Sequence, residues 1–104
     1  MELMIKSSDF QILDCTLRDG GYHNNWRFSR KLINSYLACM SKVGIKFIEI
    51  GFRFLNQNKL RGETAYTKEN FIKKLKIPKD LSIGVMINAS DFINNCSSST
   101  KLCR

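Results

Sequence analysis

The stretch Gln11-Ile12-Leu13-Asp14-Cys15-Thr16-Leu17-Arg18-Asp19-Gly20-Gly21-Tyr22-His23-Asn24-Asn25-Trp26 decides how the chain is read. It opens with an apolar run in which Ile12, Leu13 and Leu17 carry the signal of a buried strand. It then sets Arg18 and Asp19 side by side, ahead of two glycines and a polar, aromatic cluster. In α/β proteins the apolar part of a strand fixes the backbone, and its C-terminal end presents functional groups at the rim. The rest of the chain reads as scaffold that holds or covers this end.

Strand one is expected from about Phe10 to Leu17. Phe10, Ile12, Leu13, Cys15 and Leu17 form a nearly continuous apolar run, which suits a strand covered on both faces. Gly20 to Phe28 reads as a loop. Ser29 is a suitable N-cap. Leu32, Ile33, Tyr36, Leu37, Met40 and Val43 then recur at helical spacing, Lys42 suits the negative end of the helix dipole, and Gly44 stands where a left-handed C-cap would close the helix. Strand two follows with Ile45, Phe47, Ile48 and Ile50, then Gly51. Phe52 to Tyr66 is a polar, basic connection, long for a strand–helix loop, which favours a lid or binding loop. Thr67 is expected to cap a second helix with Glu69, Phe71, Ile72 and Leu75, and Pro78 lies just past its end. Strand three is Leu81 to Ala89, and Asp91-Phe92-Ile93 opens a third helix. Met1 to Asp9 reads as a lead-in, and 94–104 as a serine-rich tail, frayed or cut. Strands alternating with helices imply parallel pairing through right-handed crossovers. The expectation is an α/β domain over residues 1–93, followed by the tail.

A length of 104 residues allows one small domain with a modest core. With 43% apolar and 25% charged residues, the composition is globular rather than disordered. No apolar run approaches the roughly 20 residues needed to cross a bilayer, and the start has no signal-peptide core. No membrane partner is expected, and a cytoplasmic location is the default. Cys15, Cys39, Cys96 and Cys103 are scattered without a Cys-x-x-Cys pair, and His23 is the single histidine. That removes zinc-finger patterns and disfavours a disulfide framework. Cys15 and Cys39 read as small buried thiols, while Cys96 and Cys103 fall in the tail. Seventeen basic against nine acidic residues leave a charge of +8, which raises nucleic acid, a membrane surface or an anionic substrate as partners. The basic residues are dispersed, and the densest group, Lys73 to Lys79, reads as a solvated face. Nucleic acid is therefore disfavoured.

Two features leave alternatives open. Glu49 is a lone carboxylate within strand two: either the outward residue of a half-exposed strand, or an inward acid near a site that needs a partner. Arg18 and Asp19 taken alone are a surface pair at a turn; within their surrounding string they read as a site.

That string, Asp14-Cys15-Thr16-Leu17-Arg18-Asp19-Gly20-Gly21, is followed by a helix and then by Gly44-Ile45-Lys46-Phe47-Ile48-Glu49-Ile50-Gly51. Together they resemble the start of the metal-dependent aldolase and acyl-lyase superfamily. That group includes 4-hydroxy-2-oxovalerate aldolase, hydroxymethylglutaryl-CoA lyase and isopropylmalate synthase, and the likeness is closest to the aldolase branch. It covers roughly Gln11 to Ser90. It implies the N-terminal portion, about three β/α units, of a TIM barrel, whose full length is on the order of 250 residues. By this resemblance Asp19 would ligate a divalent cation, Mn2+ or Mg2+, and Arg18 would stabilise an enolate oxygen. Asp14 and Thr16 would help shape the strand end, and Glu49 corresponds to the acid closing the second strand. The aldolases carry a histidine just after the glycine; here Tyr22 holds the nearest position and His23 comes one later, so both are candidates for proton transfer. The family's later His-x-His metal ligands have no counterpart in this chain.

The residue types suit that chemistry. Enolate formation needs a cation to polarise a keto oxygen and a fixed positive group for the developing charge. A carboxylate is a hard oxygen ligand for Mg2+ or Mn2+. An arginine keeps its proton and grips a carboxylate or enolate with two donors. Gly20 and Gly21 let the backbone approach closely. The implied function is aldol or retro-aldol chemistry on a 2-oxo acid or aldehyde, incomplete in this chain. Two other readings stand beside it. One is a non-catalytic basic module for nucleic acid or an acidic partner, drawing on Tyr22 and Trp26 as exposed aromatics. The other is self-association through open sheet edges.

Overall fold

The computed structural model describes residues 10–94. Strand β1 (Leu13–Asp14) leads at once into helix α1 (Thr16–Asn24). Helix α2 (Arg30–Val43), strand β2 (Phe47–Phe52), a 3-10 turn (Glu63–Ala65), helix α3 (Glu69–Lys74), strand β3 (Ser82–Met86) and helix α4 (Ala89–Asn94) follow. The three strands make one parallel sheet in the order β1-β2-β3. The expected α/β class and parallel pairing are those observed.

Register sets the two faces. Leu13 pairs with Phe47 and Asp14 with Ile48; Phe47 pairs with Ser82, Ile48 with Ile83 and Glu49 with Gly84. Side chains alternate along a strand, so Ile48 and Ile50 share one face with Ile83. The helices cover that face. Ile48 and Ile50 are fully buried against Leu17 of α1, Ile33 and Leu37 of α2, Phe71 of α3, and Leu75 and Leu81. Each such side chain taken from water contributes about 1.5–3 kcal/mol. The other face carries Leu13, Phe47, Glu49, Ser82 and Gly84, of which Leu13, Ser82 and Gly84 are exposed. Among the described residues the sheet is therefore covered on one side, not on both as the apolar runs suggest. The ladder slips by one residue between Glu49 and Gly51. Beyond that bulge Phe52 joins a second, smaller cluster with Trp26 and Ala65, because an extra residue re-aims the strand.

Helix α2 ends where its capping residues say it should. Ser29 Oγ accepts from the Leu32 N–H at 3.1 Å, and Gly44 closes the helix at φ 82°. Its apolar stripe is narrower than expected: Ile33 and Leu37 are buried, whereas Leu32 and Val43 are exposed.

Strand one departs most from expectation. It is two residues long, and Thr16 to Asn24, expected as strand end and loop, is helix. The Asp14 carboxylate accepts from the Thr16 N–H at 3.1 Å and from Thr16 Oγ1 at 3.0 Å, satisfying a donor that the helix start would otherwise leave free. Among the described residues β1 has only β2 beside it, and Phe10, Ile12 and Leu13 are more than half exposed at 54%, 51% and 57%.

Three smaller corrections follow. Thr67 does not cap α3; it sits at φ 40° with its hydroxyl buried between the carbonyls of Phe52 and Thr64, at 3.0 and 3.1 Å. Lys68 stands at the N-cap without a side-chain bond. Cys39 is exposed rather than buried, because it falls off the apolar stripe of α2. Helix α4 starts at Ala89, two residues before Asp91, since Asn88 Oδ1 accepts from Ser90 N–H and Oγ at 3.3 and 3.0 Å. The lead-in Met1 to Asp9, the tail beyond Asn94, and Cys96 and Cys103 lie outside the described residues. Among the described residues no helix is long and apolar enough to cross a membrane.

Candidate active site

Arg18 lies in the first turn of α1, and its side chain is held by the second strand. Its Nε donates to Glu49 Oε2 at 3.2 Å, and Cys15 Sγ donates to the same oxygen at 3.0 Å. The Arg18 and Glu49 side chains are only 20% and 13% exposed. Glu49 is thus the partnered acid of its two readings, reaching Arg18 from the open face of β2. The hydrogen bond to Glu49, together with burial, pushes the Cys15 thiol above its ordinary pKa. Burial pulls the Arg18 guanidinium down, but its bonds to Cys15 and Glu49 outweigh that and raise it. Arg18 is a permanent cation and Cys15 a neutral thiol at physiological pH.

Beside Arg18 a cleft of about 600 Å³ opens over the C-terminal ends of β2 and β3. Its walls are Arg18, Tyr22, Asn25, Trp26, Phe52, Phe54, Asn58, Arg61, Met86, Ile87, Asn88 and Ala89. An adjoining depression of about 480 Å³ on the connection between β2 and the 3-10 turn shares Asn58 and Arg61.

Trp26 organises the cleft. Its indole is 5% exposed and its Nε1 donates to the Arg18 carbonyl at 2.9 Å. Its ring meets Tyr22, Phe54 and Phe52 edge-on at 4.8, 5.2 and 5.5 Å, and Phe52 and Phe54 stack at 4.4 Å. Such ring pairs add about 0.5–1.5 kcal/mol each beyond area burial. Asn25 and Trp26 both take left-handed backbone, φ 57° and 56°, and the buried, hydrogen-bonded indole offsets that strain. Gly21 exists for this ring: a Cβ there would lie 1.9 Å from Trp26 Cδ1. The close approach expected of the glycine pair is therefore to an indole, and only at Gly21.

The sequence-derived site residues divide. Arg18 and Tyr22 line the cleft, and Glu49 fixes Arg18. Asp14 and Thr16 build the start of α1. Asp19 is 76% exposed, with its Oδ1 3.7 Å from Arg18 Nη1, and is not on the cleft wall. His23 is exposed and also off the wall. Trp26, expected as an exposed aromatic, is buried. Among the described residues no group of three or more His, Cys, Asp or Glu side chains comes together to hold a metal ion. Asp19 alone does not make a metal site.

Phe54 carries no role in the sequence reading; Asn58 and Arg61 enter it only as members of the candidate lid or binding loop, and Asn88 only as the end of strand three. The alternation Phe52-x-Phe54 past Gly51 was the available signal, since aromatics two apart leave a strand on the same side. Arg61 gave none.

No family model matches this chain, and no curated protein does. Among solved structures it is similar to the N-terminal domain of a putative aldolase from Bacteroides vulgatus. The two share 33% sequence identity at a TM-score of 0.78, over 89% of this chain. This chain spans 30% of the length of that one. The likeness carries sequence as well as fold, and the three parallel strands with their helices are similar to an opening fragment of the α/β barrel of an aldolase-like protein.

Proposed function

We propose that this chain carries the opening β/α units of an aldolase-type carbon–carbon lyase, in which Arg18 grips a 2-oxo acid and holds its enolate. One observation carries the reading: Arg18, fixed by Glu49, lines a cleft at the C-terminal ends of parallel strands. The likeness to the Bacteroides vulgatus domain supports it. Carbon–carbon cleavage leaves an electron pair on the 2-oxo fragment as an enolate, and a preoriented guanidinium favours that charge. One Arg18 donor serves Glu49 and Nη1 stands 3.7 Å from the exposed Asp19 carboxylate, and the remaining N–H edge can meet a carboxylate or enolate oxygen. Tyr22 stands on the cleft wall and is better placed than His23 to pass a proton. Asp19 would supply one oxygen ligand to Mn2+ or Mg2+, the other ligands coming from outside the described residues.

Oxalate, a planar stand-in for the pyruvate enolate, should bind the full chain and change the fluorescence of its single tryptophan. Arg18→Gln should weaken that binding by about tenfold or more, as loss of a charged hydrogen bond does. Equal oxalate affinity in both proteins would sink the reading. With Mn2+ added, the chain alone should release no pyruvate from 4-hydroxy-2-oxo acids. Robust release abolished by Asp19→Asn would show a complete site instead.

A further inference from the structure

The five arginines among the described residues are not alike. Arg18, Arg30 and Arg53 each face a carboxylate, from Glu49, Glu63 and Glu69 respectively. Arg27 donates to the carbonyls of Leu60 and Lys59 at 2.7 and 3.3 Å. The Arg61 guanidinium instead lies over aromatic rings, its Cζ 4.2 Å from the Phe54 centroid and 5.9 Å from that of Trp26. Stacking occupies the face of a guanidinium and leaves its N–H edge available. The cleft that Arg61 lines with Arg18 has no carboxylate on its wall. Glu49, behind Arg18, balances one of the two charges, and nothing on the wall balances the other.

Arg61 is also held in place. Its backbone N–H donates to the Asn58 carbonyl at 3.1 Å, and the Tyr66 hydroxyl accepts from the Asn58 N–H at 2.7 Å and donates to its carbonyl at 3.0 Å. The next residue, Gly62, donates to the Asn25 carbonyl at 2.8 Å, and a Cβ there would stand 2.2 Å from the Trp26 carbonyl oxygen. The connection expected as a lid or binding loop is pinned to the end of α1. Among the described residues Arg61 makes no ion pair, and Glu63 beside it on the adjoining depression is paired with Arg30; a guanidinium on a pinned loop, packed over rings and without an anion is how a protein prepares an anion subsite.

We propose that Arg61 is a second anion-binding residue of the cleft, so that its ligand carries two anionic groups, one for Arg18 and one for Arg61, with an apolar span against the aromatic wall. The inference rests on the reading of Arg18 as the anchor for a 2-oxo acid, and names that acid as a dianion.

Titration of Trp26 fluorescence in low-salt buffer, with and without Mg2+, tests it with matched probes. These are 2-oxoglutarate, 2-oxovalerate of the same chain length, and glutarate, which keeps both carboxylates and lacks the keto group. The wild-type chain should bind 2-oxoglutarate about tenfold tighter than 2-oxovalerate, as one added charge-assisted contact implies. Arg61→Gln should bring that ratio near one while leaving 2-oxovalerate affinity within about twofold, and Arg61→Lys, which keeps charge without the fork, should retain part of it. Far-UV circular dichroism confirms that both variants are folded. A ratio near one in the wild type, a ratio unchanged in Arg61→Gln, or no binding of any probe overturns the proposal. Glutarate binding as tightly as 2-oxoglutarate, with the same dependence on Arg61, upholds the second anion subsite and overturns the 2-oxo acid reading of Arg18.

Discussion

Arg18 Nε and Glu49 Oε2 stand 3.2 Å apart, joining the first helix to the central strand. Thirty-one residues separate them in the chain. The contact decides where the guanidinium at the cleft points, and it comes from a carboxylate that an apolar strand would otherwise exclude.

Removing Glu49 should therefore be felt in both stability and binding. Glu49→Ala leaves the guanidinium and the Cys15 thiol without their shared acceptor, and should destabilise the fold by about 1–3 kcal/mol. Glu49→Gln keeps an acceptor and should lose less. Urea unfolding followed by tryptophan fluorescence reads the order. Glu49→Ala unfolding at the wild-type midpoint would mean the pair is only a surface contact.

The two adjacent glycines should respond in opposite directions. At Gly21 a Cβ would enter the Trp26 ring, and Gly21→Ala should cost about 1–3 kcal/mol as overpacking does, with red-shifted tryptophan emission as the indole is displaced. At Gly20 the nearest atom to a Cβ is Phe28 Cζ at 3.8 Å. Gly20→Ala in a helix interior should stabilise by about 0.5–1 kcal/mol. Thermal melts of the pair check both signs.

Tyr36 offers a stabilising change. Its hydroxyl is buried without a hydrogen-bond partner among the described residues. Tyr36→Phe removes an unpaired polar group and keeps the ring, and should raise stability by about 1 kcal/mol. A lower melting temperature in Tyr36→Phe would show that the hydroxyl has a partner in solution.

Cys15 should be a slow thiol. Its raised pKa holds it protonated, and the thiolate is the reactive form. Alkylation by iodoacetamide, followed site by site by mass spectrometry, should show the Cys15 rate climbing at higher pH than that of a free cysteine. The linkage has a definite sign. The folded state keeps the proton where the unfolded thiol, at about 8.5, has lost it. The stability this contributes is complete below that value and falls as pH rises toward the raised folded pKa. A Cys15→Ser variant should lose that alkaline slope; an unchanged slope would assign it to another group.

Helix α2 was legible from local chemistry alone, because Ser29, the apolar stripe and Gly44 each act within a few residues of one another. The strand cores around Phe47–Ile50 and Ile83–Met86 were legible for the same reason, as was Arg18 as a residue to watch. Helix α1 was not. Gly20-Gly21 is a turn signal by propensity, and what overrides it is an indole five residues on that needs the space of a missing Cβ. Arg61 was not legible either, since nothing in its neighbours in sequence distinguishes it from any other basic loop residue.

The chain's own order of residues thus determined the α/β class, the parallel alternation and the placing of an arginine just ahead of a glycine pair. Periodicity, capping and turn preferences act over a few residues and can be read in one dimension. Only the tertiary structure decided that Glu49 holds Arg18, that Trp26 is a buried pillar, and that Arg61 lies over the aromatic rings of the same cleft without an ion pair among the described residues. Those contacts join residues 8 to 35 positions apart, and their energies exist only once packing has brought the side chains together and excluded water between them.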